Sequence, residues 1–414
     1  MRIAVVGGGI SGMTAAHLLS DEHEVTLFEA NNTIGGHTHT VDVDEEEGPL
    51  AVDTGFIVFN EKTYPNFCRL LRRLDVPWQQ SDMSFSVQSE RRGVEYNGTS
   101  INGLFAQRAN LVRPSFHRMI RDILRFNREA TAFSRDGDAE TTLGDFVRRG
   151  GYSEIFLDTY LVPMGAAIWS AEPRQMLDFP FRYFARFFDN HGMLTVDERP
   201  QWLTVKGGSR EYVPSLTRAY RDRIRLASPI AAVRRFDDRV EVTPKNGGPE
   251  SFDHVVLAAH GDQTLEMLTD ANPDERAVLG SFRFQKNDTV LHTDRSVLPK
   301  RRRAWASWNY HVDREPSRGV AVTYWMNRLQ NLTSKSDFCV SLNREARIDP
   351  ATVRGRYEYE HPIYTREAVT AQAVQERLNA SGRTSFAGAY WGFGFHEDGV
   401  NSALAACSRF GKAL

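Results

Sequence analysis

The sequence predicts an α/β protein in which a Rossmann-type dinucleotide-binding domain is interleaved with an α+β domain that covers it. Three observations predict this. A glycine turn stands between a strand and a helix at the very start, strand patterns of the same kind return after residue 200, and a second glycine-rich turn feeds a helix near residue 400.

Residues 3–6 are a short β-branched run, and residues 13–20 carry Met13, Ala16 and Leu19 at helical spacing. Residues 24–29 form a second strand pattern with Val25, Leu27 and Phe28, which completes a βαβ start. From about residue 64 to 199 the chain is rich in arginine, phenylalanine and helix-compatible runs. Strand patterns return at 239–243 and 252–259, a second departure runs from about 279 to 370, and cofactor-domain character resumes at Arg383. The expected division is residues 1–65, 200–275 and 380–414 for the cofactor domain, with 66–199 and 276–379 for the substrate domain. A last helix is expected over 401–410.

Within the first turn, Gly7, Gly9 and Gly12 satisfy GxGxxG. The first glycine permits the tight turn, the second lets a pyrophosphate approach the backbone, and the third lets helix and strand pack closely. The helix N-terminus offers free N–H groups to phosphates. Glu29 ends the second strand, where a carboxylate can bind ribose hydroxyls. Farther loops bring Gly35-Gly36-His37-Thr38, Asp53-Thr54-Gly55-Phe56, Gly388-Ala389 and Gly394 through Val400. An isoalloxazine and ribityl chain need such extra loops, so the reading favours a flavin over a nicotinamide.

Bulk properties exclude other classes. The net charge of −2 gives no basic excess for nucleic acid. Cys68, Cys339 and Cys407 are far apart and form no CxxC pair, which speaks against a disulfide framework or a zinc site and fits a reducing compartment. No metal site is expected. No apolar run reaches the ~18 residues of a membrane span. The N-terminus runs straight into the glycine turn and reads as a strand and not a signal peptide, so a cytoplasmic location is expected. No serine or cysteine nucleophile motif and no HExxH motif is present.

Taken together, the GGGISG start, the glycine pair after Glu29, the DTG element, Lys206-Gly207-Gly208 and the FAG…HEDG ending resemble the flavin amine oxidase, protoporphyrinogen oxidase and phytoene desaturase superfamily. Residues 53–60 (DTGFIVFN), 307–310 (SWNY), 323–330 (TYWMNRLQ) and 394–399 are similar to a bacterial family of FAD-binding oxidoreductases and to the N-terminal oxidase-like half of plant cyclopropane fatty acid synthases. The resemblance implies FAD, a fatty-acyl substrate from a membrane lipid, oxidation or desaturation of that chain, and an acyl methyltransferase as partner. It also implies the contacts: Gly7, Gly9, Ile10, Ser11 and Gly12 on the pyrophosphate; Glu29 and Ala30 on the ribose; Gly36, His37 and Thr38 along the phosphates. Gly55, Phe56, Ile57 and Val58 would lie near the flavin, and Ile230 would hold adenine through its backbone. Gly388, Ala389, Phe395, His396, Glu397, Asp398, Gly399 and Val400 would surround the ribityl chain and ring.

Two departures stand out. His37 takes the place of the arginine usual in amine oxidase relatives, and the lysine near flavin N5 has no aligned counterpart, Lys286 being nearest. No cysteine stands at the position of covalent attachment, so the FAD is expected to be non-covalent. Phe395 is expected to wall the flavin, and His396 and Glu397 to handle protons, with His37 and His39 as weaker candidates. An apolar tunnel is expected among Trp169, Phe179, Phe181, Tyr183, Phe184, Phe187, Phe188, Trp308, Tyr324, Trp325 and Trp391. Residues 113–135 read as a basic amphipathic helix that either lies on a membrane with its apolar face in the lipid boundary or packs that face on the core. Arg301-Arg302-Arg303 reads as a solvated loop. The alternatives are an oxidase of a soluble amine or porphyrinogen, and a flavin-bearing accessory of an acyl methyltransferase.

Overall fold

The computed structural model describes residues 1–46, 48–195, 199–314, 319–380 and 382–414. A five-stranded parallel sheet is ordered Ile224–Arg225, Glu24–Phe28, Arg2–Val6, His254–Leu257 and Thr384–Phe386. Ile3, Ala4, Val5, Val25, Leu27, Val255 and Val256 have no exposed surface. Such continuous apolar runs are the mark of strands covered on both faces. The helices Ile10–Leu19 and His396–Cys407 pack against each other over this sheet. An antiparallel meander, Ile230–Arg235, Val240–Pro244 and Glu250–Phe252, leads into it. The expected strand 252–259 is therefore two strands. Asp253 divides them, and its Oδ2 accepts the Arg2 N–H at 2.6 Å, pinning the corner to the first strand.

A seven-stranded mixed sheet forms the second layer, ordered Val353–Ile363, Arg283–His292, Cys339–Leu342, Val322–Trp325, Trp308–Val312, Phe85–Ser89 and Val94–Asn97. Asn309 ties its middle together. It accepts from Ser86 Oγ at 2.8 Å and donates to the Thr323 carbonyl at 3.1 Å. Beside this sheet lie the helices Pro114–Asp136, Leu143–Arg149, Val162–Trp169 and Phe181–Asn190, with a π turn over Leu157–Leu161. Their core is dense in aromatics: Phe116, Phe126, Phe156, Phe181, Phe184, Phe187 and Phe188 are all less than 2 % exposed.

The helix expected over 113–135 is present as Pro114–Asp136. Its apolar face is not free for lipid, which corrects that option. Phe116, Met119, Phe126 and Ala130 are fully buried in the aromatic core, and Ile120, Ile123 and Phe133 pack against it. No helix among the described residues is long and apolar enough to cross a membrane.

Candidate functional site

A cavity of about 790 Å³ runs from the ends of the parallel strands to the mixed sheet and the helical layer. Its first part is built by the glycine turn. Gly7 has φ +107°, and a Cβ there would stand 2.7 Å from the Ala258 carbonyl oxygen. At Gly9 a Cβ would meet nothing within 4 Å, so this residue lines open space. A Cβ on Gly12 would fall 1.9 Å from the Gly7 oxygen, so its role is helix–strand contact, and it does not line the cavity. No side chain caps the helix Ile10–Leu19. Its first-turn N–H groups are thus left for an anion, with the dipole's positive end behind them.

Glu29 is 6 % exposed and lines the same cleft. Its Oε2 accepts the Gly8 N–H at 2.7 Å and its Oε1 the Asn31 N–H at 2.8 Å, which fixes the carboxylate while leaving further lone pairs. Ala30, Ser228, Pro229, Ile230 and Lys245 line the adjoining end. The uncapped helix, the open glycine and the oriented carboxylate fit a dinucleotide. Gly36, His37, Gly55, Phe56, Ile57, Val58, Gly388, Ala389, Phe395 and His396 line the part beyond. In all, seventeen of the residues expected to touch the cofactor reach one wall from five separated stretches of chain.

Six others do not line it: Gly12, Thr38, Glu397, Asp398, Gly399 and Val400. Thr38 turns its hydroxyl to Tyr212 and to His396 Nε2 at 3.1 Å. The last helix begins at His396 and not at 401, so residues 397–400 point around a helix, about 100° apart. Glu397 reaches away and accepts the backbone N–H groups of Asn66 and Phe67, at 3.1 and 2.8 Å, at the start of helix Pro65–Arg73. It is a docking and capping residue, which corrects its expected proton role. Asp398 accepts the Phe395 N–H at 3.0 Å, and burial raises its carboxyl to about 7. Gly399 admits the close approach of Ile10 and Ser11, and Val400 is fully buried core.

His396 does face the cavity, but its ring stacks on Phe56 at 3.5 Å and its Nε2 is engaged by Thr38 and Tyr212. Burial lowers it to about 3, so it is neutral and structural. His39 is bonded to Thr54 Oγ1 at 2.6 Å and to Tyr359 OH at 3.0 Å, outside the cavity lining. His37 differs. Its Nε2 is buried and has no hydrogen-bond partner among the described residues, and its ring sits 5.2 Å from both Tyr359 and His361. Burial, then the neighbouring His361, hold it well below the usual imidazole range. His361, lowered to about 4 by burial, bonds to Asn287 Nδ2 at 3.0 Å. His260, with Glu360 at 3.2 Å, completes this wall. His260, Tyr359 and His361 were not expected from the sequence. The alternation Tyr357, Tyr359, His361 on one strand face was the signal available.

Lys286 offers no substitute for the missing lysine. It pairs with Glu358 at 2.7 Å, is 66 % exposed and does not line the cavity.

The other end is apolar. Met83, Ile168, Trp169, Phe187, Met193, Trp308 and Tyr324 line it together with Phe393 and Phe395. Phe187 stacks on Phe395 at 5.2 Å, linking the helical layer to the last helix. Of the expected tunnel aromatics, only Trp169, Phe187, Trp308 and Tyr324 reach the cavity. Phe179, Phe181, Phe184 and Phe188 are core, Tyr183 donates to the Gly392 carbonyl, Trp325 packs on Trp305, and Trp391 packs on Phe282. None of Cys68, Cys339 and Cys407 lines the cavity, and all three are buried.

A parallel-sheet dinucleotide cleft that continues into an apolar chamber beneath a second layer defines the flavoprotein class with the amine oxidase fold. The chain belongs to the family of flavin containing amine oxidoreductases, whose family model matches residues 10–283. It is an FAD-dependent oxidoreductase. Similar solved structures include cyclohexylamine oxidase from Brevibacterium oxydans IH-35A, at TM-score 0.70 and 16% identity over 99% of this chain and 98% of that one. The CLA-producing fatty acid isomerase from P. acnes matches at TM-score 0.66 and 15% identity, with the same coverage. A 4,4'-diapophytoene desaturase of Staphylococcus aureus (strain Newman) is 47% identical over 45 residues, 11% of this chain and only 9% of the desaturase's length.

Proposed function

We propose that this FAD-dependent oxidoreductase dehydrogenates an aliphatic chain carried by a lipid, forming a carbon–carbon double bond. The observation that carries the reading is the apolar chamber, which meets the dinucleotide cleft at Phe395; among the described residues the one lysine of the lining, Lys245, lies at the opposite, nucleotide end. The fatty acid isomerase fold and the short desaturase match support an aliphatic substrate.

In this reading Gly7, Gly9, Ile10 and Ser11 hold the pyrophosphate, Glu29 and Ala30 the ribose, and Ile230 the adenine edge. Gly55 to Val58, Gly388, Ala389, Phe395 and His396 surround the flavin end, and the cofactor is held without a covalent bond. FAD supplies the two-electron acceptor for the hydride removed from carbon. Met83, Ile168, Trp169 and Trp308 hold the chain extended and exclude water. The second hydrogen leaves as a proton, and His37 Nε2, neutral and without a hydrogen-bond partner among the described residues, is the atom that receives it. His361 packs beside that imidazole, ring centroids 5.2 Å apart.

The test is anaerobic mixing of the holoprotein with dispersed phospholipids bearing methyl-branched or unsaturated chains, and separately with small amines. Bleaching of the flavin band by the lipid, with loss of two hydrogens in the acyl product, is expected. His37→Asn should keep its FAD and slow that bleaching by about a hundredfold. Bleaching by amines alone would replace this reading with oxidation of a soluble amine.

A further inference from the structure

The outer face of the helical layer carries a charge and apolar pattern that the reaction does not use. Residues 101–135 contain seven arginines against two acids, in a chain whose net charge is −2. Of the three acids on the helix Pro114–Asp136, Asp136 is exposed at the C-terminal end, while Asp122 and Glu129 bond to the segment that follows Leu143–Arg149. Asp122 accepts the Ser153 N–H at 3.0 Å, and Glu129 accepts from Tyr152 OH at 2.6 Å. Its outward stripe, at i, i+3 and i+4 spacing, is His117, Arg118, Arg121, Leu124 and Arg128. Among the described residues, Arg118, Arg121 and Arg128 make no ion pair.

Just before this helix the chain exposes large apolar side chains. Ile101 is 80 % exposed, Leu111 51 % and Val112 84 %, and Leu124 on the stripe is 54 % exposed. Two hydrogen bonds from Arg108, to Asn102 Oδ1 at 2.6 Å and to the Phe105 carbonyl at 2.9 Å, hold this loop together. His117 Nε2 donates to the Leu111 carbonyl at 2.8 Å and fastens the loop to the helix. Burial would be the ordinary fate of such residues, and isolated exposed ones need no explanation. Here they adjoin a stripe whose charged members, Arg118, Arg121 and Arg128, are all positive.

We infer that this face docks on an anionic lipid bilayer. Ile101, Leu111 and Val112 enter the headgroup–acyl boundary, and Arg118, Arg121 and Arg128 lie over the headgroups. The charge pattern selects the occupant: an acidic surface gains from each unpaired arginine, whereas a neutral protein face or a second copy of this basic face does not. This deepens the lipid-substrate reading and rests on it for its purpose. The helix Phe181–Asn190 packs against the inner side of Pro114–Asp136 and gives Phe187 to the cavity, with His191 following at its C-terminal end, so the docked face and the chamber are one helix apart.

The experiment is co-sedimentation of the FAD-loaded protein with phosphatidylcholine vesicles, with and without phosphatidylglycerol, at low and high salt. The wild type should bind the acidic vesicles and not the neutral ones, and salt should release it. Leu111→Asp/Val112→Asp and, separately, Arg118→Gln/Arg121→Gln/Arg128→Gln should each weaken binding by about tenfold or more. Both variants should keep wild-type flavin spectra and wild-type turnover of detergent-dispersed lipid. Failure of the wild type to bind acidic vesicles, unchanged binding in the arginine variant, or a dimer abolished by the same substitutions would overturn the inference. Vesicle binding without any lipid oxidation would instead sink the substrate reading and leave the docking face standing.

Discussion

Gly9 and Gly12 belong to one turn but are glycine for different reasons. A side chain at Gly9 would enter the cleft, and one at Gly12 would strike the Gly7 carbonyl. Gly9→Val should therefore abolish FAD retention while leaving the melting temperature of the apoprotein unchanged. Gly12→Ala should destabilise the apoprotein itself by about 1–3 kcal/mol, the usual cost of forced overpacking. FAD-to-protein ratio and apoprotein melting separate the two, and equal melting temperatures for both variants would contradict the assignment. These glycines and Glu29 were legible because the fingerprint is local. His361 and His260 were not, because nothing local brings residues 260 and 361 together; the pairing of the long strand Val353–Ile363 with Arg283–His292 sets His361 beside Gln285, and His260 stacks on the adjoining Phe284.

At the scale of elements, the last helix decides which of its residues can meet the cofactor. The run His396 to Gly399 has no apolar periodicity, so the sequence reads as a turn leading to a helix at 401. The Asp398 carboxylate, by taking the Phe395 N–H, starts the helix five residues earlier. Glu397 then caps a neighbouring helix, and Glu397→Gln should cost about 1–2 kcal/mol of stability with little change in the rate of flavin reduction. A large rate loss at normal stability would restore its proton role. Another coupling explains why three distant motifs coincide. Asp53 of the DTG element accepts the Ser209 N–H beside Lys206-Gly207-Gly208 at 2.9 Å and the Gln330 Nε2 of the TYWMNRLQ run at 2.8 Å. Burial raises its carboxyl to about 6 even so. The motifs were visible in the sequence as resemblance. Their structural reason is one buried carboxylate that joins three distant segments of chain.

The whole molecule holds many histidines neutral by burial, among them His254 at about 3 and His292 at about 4, each bonded to a serine in its sheet. An unfolded histidine titrates near ~6.5. Between that pH and the lowered folded values the unfolded chain binds the proton and the folded chain does not, so stability falls as pH drops below about 6.5. Asp53 and Asp398 act in the opposite sense, because their raised carboxyls favour the folded state as they protonate, and they offset part of the loss. The apoprotein should melt lower at pH 5 than at pH 7.5, and His254→Gln/His292→Gln should flatten that slope; identical slopes would show that these residues titrate freely when folded. The functional assignment rests on one claim, that the long cavity is an FAD site. The direct measurement is the absorption spectrum of the purified protein, followed by heat release and identification of the chromophore. Flavin bands and FAD in the supernatant, near one per chain and separable without proteolysis, are expected. A colourless protein that also fails to take up added FAD would contradict the account at its base.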